Sequence, residues 1–198
     1  MPTLLWSHGN AEDLSNTFFL ELFHQAGFGV LGYDYPGYGI SDGKPTEKAC
    51  YHAIDKTYEY LTETLAISQS NIIIVGQSVG SGPSCYLAEK QPAKALVLIT
   101  PLTSAYRVGF GYPIFPCDRF PNLSRIKNIN IPLMVIHGDQ DTVVPQKHGI
   151  ALIEAHQATH IFHDLKGRGH NDISGHTIKE IENYLNLFVE LNNSLNSN

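Results

Sequence analysis

The chain has 198 residues, 42% of them hydrophobic and 16% charged, with a formal net charge of −6. That is enough apolar material for one globular domain with a core, and the acidic balance excludes the basic stripe that a nucleic-acid surface needs. No apolar run approaches the ~18 residues of a membrane-spanning helix, and no basic segment followed by an apolar stretch marks a signal peptide. The three cysteines, Cys50, Cys85 and Cys117, have no C-x-x-C spacing. Neither a disulfide framework nor a structural zinc site is therefore expected, and a reducing cytoplasm is the default.

In chain order, Leu4–Trp6 reads as a short buried strand running into the loop Ser7-His8-Gly9-Asn10. Ala11–Ala26 carries Leu14, Phe18, Leu22 and Ala26 at helical spacing, with Gly27 as the stop. Phe28–Tyr35 reads as a second strand, closed by the turn cluster Pro36-Gly37-Tyr38-Gly39. Thr46 is placed to cap a long helix whose buried stripe includes Ala49, Ala53, Tyr58, Leu61 and Leu65. The β-branched run from Ile72 leads to Ser78, and a helix follows to about Lys90, with Pro83 in its first turn because proline has no N–H to offer deeper in. Ala95–Thr100 and Leu133–His137 are two further strands, Pro145–Gln157 a helix and His160–Leu165 a last strand. Thr177–Leu191 reads as an amphipathic helix with Ile178, Ile181, Leu185 and Phe188 on one face, and the Asn/Ser tail 192–198 as frayed. The expectation is a single domain over 1–191.

The strands are continuous apolar runs alternating with helices. They are buried on both faces, so the expected class is α/β, a mostly parallel sheet with helices on both faces. Active residues in such sheets gather at the carboxyl ends of the strands. Four polar loops meet there: His8-Gly9-Asn10, the turn at Ser78, His137-Gly138-Asp139-Gln140-Asp141, and Gly167-Arg168-Gly169-His170-Asn171-Asp172.

Ser78 lies in the pattern Gly76-Gln77-Ser78-Val79-Gly80. A serine at the apex of a tight strand-to-helix turn is exposed in strained geometry, and the flanking glycines remove Cβ atoms that would clash. A serine needs a base. Of the ten histidines, His170 is the choice, since it follows the last strand in a glycine-softened loop and comes last, in the order serine, acid, histidine. His163 falls inside a strand; His8 and His137, at strand ends, read as structural; histidines 24, 52, 148, 156, 160 and 176 read as surface or helix residues. Asp141 is favoured as the acid that orients the imidazole, with Asp139 read as a turn former and Asp172 as a cap for the last helix. The backbone N–H groups of Val79 and Asn10 are the candidate oxyanion donors.

Together these motifs resemble the α/β-hydrolase superfamily of serine hydrolases. The resemblance is strongest to the small subgroup that includes the α/β-hydrolase-domain protein depalmitoylases and to serine aminopeptidase-like hydrolases. It is carried by His8-Gly9-Asn10-Ala11, Tyr33-Asp34-Tyr35-Pro36-Gly37-Tyr38-Gly39, Gly76-Gln77-Ser78-Val79-Gly80, His137-Gly138 with Asp141, Phe120-Pro121-Asn122, His148-Gly149 and Gly169-His170-Asn171-Asp172. It implies the triad Ser78–Asp141–His170 with the Asn10 and Val79 amides as oxyanion hole. Members usually carry one or two strands before the His-Gly strand, so the sheet is expected to be shortened at its N-terminal edge. The cysteine-rich membrane anchor of the palmitate-removing members is not seen either, so membrane residence and a palmitoyl-protein substrate do not carry over.

Between about 101 and 131 the chain has no long helix but carries Tyr106, Phe110, Tyr112 and Phe115 among prolines. This reads as a short aromatic lid, with Tyr106, Phe110, Tyr112 and Phe115 as substrate-binding residues on an apolar pocket for an acyl chain or aromatic ester. The expected function is a serine hydrolase of carboxylic esters or thioesters acting on a small-molecule or acylated substrate, with no metal or organic cofactor needed. An aminopeptidase-type amide hydrolase and a non-catalytic binding module on the same fold are the alternatives. Oligomeric state is not legible.

Overall fold

In a computed structural model, which describes residues 1–10, 12–110 and 119–172 together with Asn183, the apolar runs form six strands. They are Thr3–Ser7 (β1), Gly29–Tyr33 (β2), Ile72–Gln77 (β3), Ala95–Ile99 (β4), Leu133–Gly138 (β5) and His160–Leu165 (β6). They pair in the order β2-β1-β3-β4-β5-β6, and every pair is parallel. Helices connect them: Phe18–Gln25 (α1), Glu47–Glu59 (α2), Ser81–Lys90 (α3), Ala105–Phe110 (α4), Asn122–Arg125 (α5) and Lys147–Ala155 (α6).

Both faces of the sheet are buried, which is why the strands read as unbroken apolar runs. Leu5, Ile72, Ile74, Leu96, Leu98, Leu133 and Val135 pack on the side of α2, α3 and α6, against Ile54, Cys85, Leu87 and Leu152. Leu4, Trp6, Ile73, Val75, Val97 and Ile99 face the other side, where α1 supplies Phe19 and Phe23. The chain leaves β1 toward β2 on one side and returns to β3 on the other. The order therefore reverses between β1 and β3, and the crevice at their carboxyl ends is where such sheets bind ligands.

Two helices differ from the sequence reading. The first starts at Phe18, not Ala11, because Asp13 draws the Ser15 amide to its carboxylate at 2.9 Å and Asp34 takes the Leu14 amide at 2.9 Å. Such side-chain capture holds backbone in a turn. The buried face is then Phe19 and Phe23, whose rings lie 5.1 and 5.8 Å from that of Trp6, while Phe18 is 44% exposed. In α2, Thr46 does cap the helix, accepting from the Ala49 amide at 3.2 Å. The buried stripe is Cys50, Ile54, Tyr58 and Leu61, rotated from the expected one so that the larger side chains go inward; Leu65 is exposed. His148 and His156 are also buried, against expectation. The helix read at 177–191 and the tail 192–198 lie outside the described residues.

Candidate active site

β3 ends at Gln77 and turns into a single 3-10 turn, Ser78–Gly80, before α3 begins. Ser78 sits at φ +50° in this turn, a conformation that a non-glycine residue adopts at some cost. The flanking glycines are required by space. A Cβ on Gly76 would lie 2.6 Å from the Gly80 carbonyl oxygen, and one on Gly80 would lie 2.2 Å from that of Ser7. The second contact shows how tightly the end of β1 is laid against the serine turn.

The turn is braced from below. Ser81 Oγ donates to the Ser78 carbonyl at 2.6 Å and accepts from Asn122 Nδ2 at 3.0 Å, and Asn122 also donates to the Leu102 carbonyl at 2.9 Å. Phe120, at φ +51°, fills the space left by Gly82, where a Cβ would fall 2.2 Å from its ring. The Phe-Pro-Asn stretch thus supports the Ser78 turn, packed with α3 on the same face of the sheet.

The three side chains singled out in sequence come together. Ser78 Oγ is 3.0 Å from His170 Nε2, and His170 Nδ1 is 2.7 Å from Asp141 Oδ2. With a carboxylate on one nitrogen, Nδ1 carries the proton and Nε2 is left to accept from the serine hydroxyl. The other carboxylate oxygen of Asp141 accepts from the Val143 and Val144 amides at 2.9 and 2.8 Å. Burial pushes the Asp141 carboxyl up, but hydrogen bonds from His137, His170 and Val144 outweigh it and hold the group well below the usual carboxylate range. Asp141 is therefore a fixed anion beneath the imidazole. Asp139 instead accepts from the Gly167 amide at 2.7 Å and Asp172 from the Gly169 amide at 2.7 Å, both as braces of the loop that carries His170.

Asn10 follows β1 on the same rim, and Val79 follows Ser78 directly. The Asn10 loop is held by a set of contacts that sequence reasoning did not single out. Tyr38 donates to Asn10 Oδ1 at 2.6 Å, Tyr35 donates to the His8 carbonyl at 2.8 Å, and Glu12 accepts from the Gly9 amide at 3.1 Å. His8 Nδ1 is 2.8 Å from the Gly9 carbonyl, and its ring packs 4.3 Å from that of Tyr35, so it is structural as read. The tyrosines stand in the turn cluster after β2, and that position beside the first loop was the available signal. His148 Nδ1 accepts from Thr103 Oγ1 at 2.8 Å.

Of the residues expected to bind substrate, Tyr106 and Phe110 belong to α4, with side chains outside the described residues, and Tyr112 and Phe115 lie wholly outside them. A cavity of about 680 Å³ opens between the loops after β1 and β2, lined by Asp13, Leu14, Asp34 and Ile40. None of the Ser78, Asp141 and His170 side chains lines it.

A sequence model of the alpha/beta hydrolase fold family matches residues 2–114. The chain belongs to that family. Among curated relatives, this α/β-hydrolase is 41% identical over 175 residues to alpha/beta hydrolase domain-containing protein 17B of Homo sapiens, covering 86% of this chain and 61% of that one. It is 39% identical to alpha/beta hydrolase domain-containing protein 17C of Mus musculus, over 86% of this chain and 55% of that one. The chain thus spans less than two thirds of the length of these relatives. In solved structures, its fold is similar to that of Est1E from Butyrivibrio proteoclasticus with ferulic acid bound (TM-score 0.78, 17% identity, 98% of this chain and 90% of that one). It is also similar to that of the Paleococcus ferrophilus monoacylglycerol lipase (TM-score 0.76, 18% identity, 96% and 94%). Among the described residues no helix is long and apolar enough to cross a membrane.

Proposed function

We propose that this α/β-hydrolase is a serine hydrolase that cleaves carboxylic esters or thioesters through an acyl-enzyme. The observation that carries the reading is the unbroken relay from Ser78 Oγ through His170 to Asp141, at 3.0 and 2.7 Å. A hydroxyl within reach of an oriented imidazole is an activated nucleophile, and a binding module has no use for that arrangement.

In the proposed cycle Ser78 Oγ attacks the carbonyl carbon while His170 Nε2 takes its proton. The oxyanion is held by the backbone N–H groups of Val79 and Asn10, and losing one such donor costs ~3 kcal/mol of barrier. His170 then gives the proton to the departing alcohol or thiol, leaving the acyl group on Ser78. Water, deprotonated by His170, attacks the acyl-serine and releases the acid. Asp141 stays ionised throughout and stabilises the imidazolium that forms twice per turnover. Thioesters are included because the same attack on an acyl carbonyl expels either an alcohol or a thiol. The acyl group is assigned, on sequence grounds alone, to the aromatic segment of Tyr106, Phe110, Tyr112 and Phe115. The test is labelling with a fluorophosphonate, followed by turnover of an ester and thioester series of graded chain length. The expected result is a single adduct on Ser78 and loss of both labelling and turnover in Ser78→Ala. Turnover in Ser78→Ala equal to wild type refutes the mechanism.

A further inference from the structure

His137 is wholly buried at the end of β5, and the mechanism above gives it no part. Its Nε2 lies 2.7 Å from the Val144 carbonyl oxygen and 3.3 Å from Asp141 Oδ2. Both neighbours are acceptors, so Nε2 must carry the hydrogen. Among the described residues the other nitrogen, Nδ1, has no hydrogen-bond partner. It faces Gly149 of α6, where a Cβ would lie 2.6 Å away, in a space also walled by Val135 and Phe162. A proton on Nδ1 would be a buried donor with nothing to accept it, which is costly. The acceptors around the ring thus place its hydrogen on Nε2.

An apolar residue would fill this interior without leaving a nitrogen unpartnered. What the imidazole supplies is closure of a small ring of contacts. Its N–H goes to the Val144 carbonyl, with Asp141 Oδ2 as a second, longer acceptor. The Val144 amide, with that of Val143, donates to Asp141 Oδ1 at 2.8 and 2.9 Å. Asp141 Oδ2 in turn receives His170 Nδ1 at 2.7 Å.

We infer that His137 is a positioning residue, which as an Nε2–H donor fixes the 141–144 turn and aims the Asp141 carboxylate at His170. The inference rests on the acyl-transfer reading for its kinetic consequence, but its structural content is independent of it. Gly149 belongs to the same device, since only a residue without Cβ leaves room for the ring.

The test has two arms. In wild-type protein labelled with ¹⁵N-histidine at pH 7, the His137 signals, identified by their loss in His137→Gln, are expected to show a protonated Nε2 and an unprotonated Nδ1. The reverse tautomer or an imidazolium overturns the inference. In the second arm, His137→Leu is expected to lower kcat at least tenfold with KM within twofold, and to displace the His170 Nδ1–H resonance. His137→Gln, which carries an N–H at the same distance from Cβ, is expected to recover most of both. A folded His137→Leu with wild-type kcat and an unmoved resonance overturns it, as does a folded His137→Gln no better than Leu. If the leucine variant does not fold, the wild-type tautomer and the glutamine variant still decide. If the wild-type protein turns over no ester or thioester, the acyl-transfer reading fails. The His170 resonance then reports alone on whether His137 sets Asp141.

Discussion

Substituting Gly80 by alanine tests whether the approach of β1 to the serine turn matters for turnover. The added Cβ would sit 2.2 Å from the Ser7 carbonyl oxygen and 2.7 Å from that of His8. Ordinary contact begins near 3.4 Å, so about 1.2 Å of separation must be found. Both contacts are backbone, and Ser7 is paired in register with Gly76 of β3 on one side and Tyr33 of β2 on the other. No flexible side chain can yield; the turn or the loop after β1 must shift as a piece. Overpacking of this kind costs ~1–3 kcal/mol of stability. A shift of about 1 Å between nucleophile and oxyanion donors costs on the order of 10²-fold in rate, equivalent to ~2.7 kcal/mol of barrier. The assay is kcat and KM on a short p-nitrophenyl ester well below the melting temperature, with the melt recorded alongside. Turnover within threefold of wild type, in a protein that melts normally, refutes the idea that this contact sets the geometry of the site.

Asp141→Asn should lower kcat by about 10³–10⁴-fold with little change in KM, since the amide cannot serve as the fixed anion for His170; steady-state kinetics on the same ester check it. Tyr38→Phe removes the 2.6 Å bond to Asn10 Oδ1 and should lower kcat several-fold at constant KM, a loss of ~1 kcal/mol typical of one neutral hydrogen bond. Stability should fall as pH drops below about 6.5, the ordinary histidine value, because burial lowers the pKa of His148, His156 and His163 in the folded chain. The unfolded chain then binds protons that the folded one refuses, so unfolding gains with acid. Asp141, already ionised in both states there, contributes no slope. Thermal melts from about pH 7.5 to 5.5 should show the decline, and His156→Leu should flatten it.

That Ser78, His170 and Asp141 meet was legible because each has a local reason for its place. Small residues flank a strained serine, glycines soften the loop of His170, and a carboxylate heads the turn before a helix. Less legible were contacts between segments far apart in sequence. Asn122 supports the turn through Ser81, a residue 41 positions away, and no periodicity announces it. The helix faces were misread for a related reason. Spacing gives a stripe but not which edge of it turns inward, and in α2 the larger Cys50 and Ile54 took the places expected of Ala49 and Ala53 beside Tyr58. The early start assigned to α1 failed because Asp13 and Asp34 capture amides that a helix would have used.

The neighbouring carboxylates show how one loop motif divides its labour. Asp139 and Asp141 leave the same strand two residues apart, yet only Asp141 turns inward, where the Val143 and Val144 amides seat it. Asp139 points outward and takes the Gly167 amide, while the Gln140 amide donates to the Arg168 carbonyl at 3.0 Å. A Cβ on Gly138 would come within 2.1 Å of that same carbonyl oxygen. The loops carrying Asp141 and His170 are therefore joined to each other through backbone before either meets the serine. His170 and Asp141 lie 2.7 Å apart on these joined loops, and the longer 3.0 Å contact to Ser78 links them to the β3 turn. In the proposed cycle, substrate binding would then adjust the serine–imidazole distance without disturbing the hydrogen bond that joins His170 to the Asp141 carboxylate.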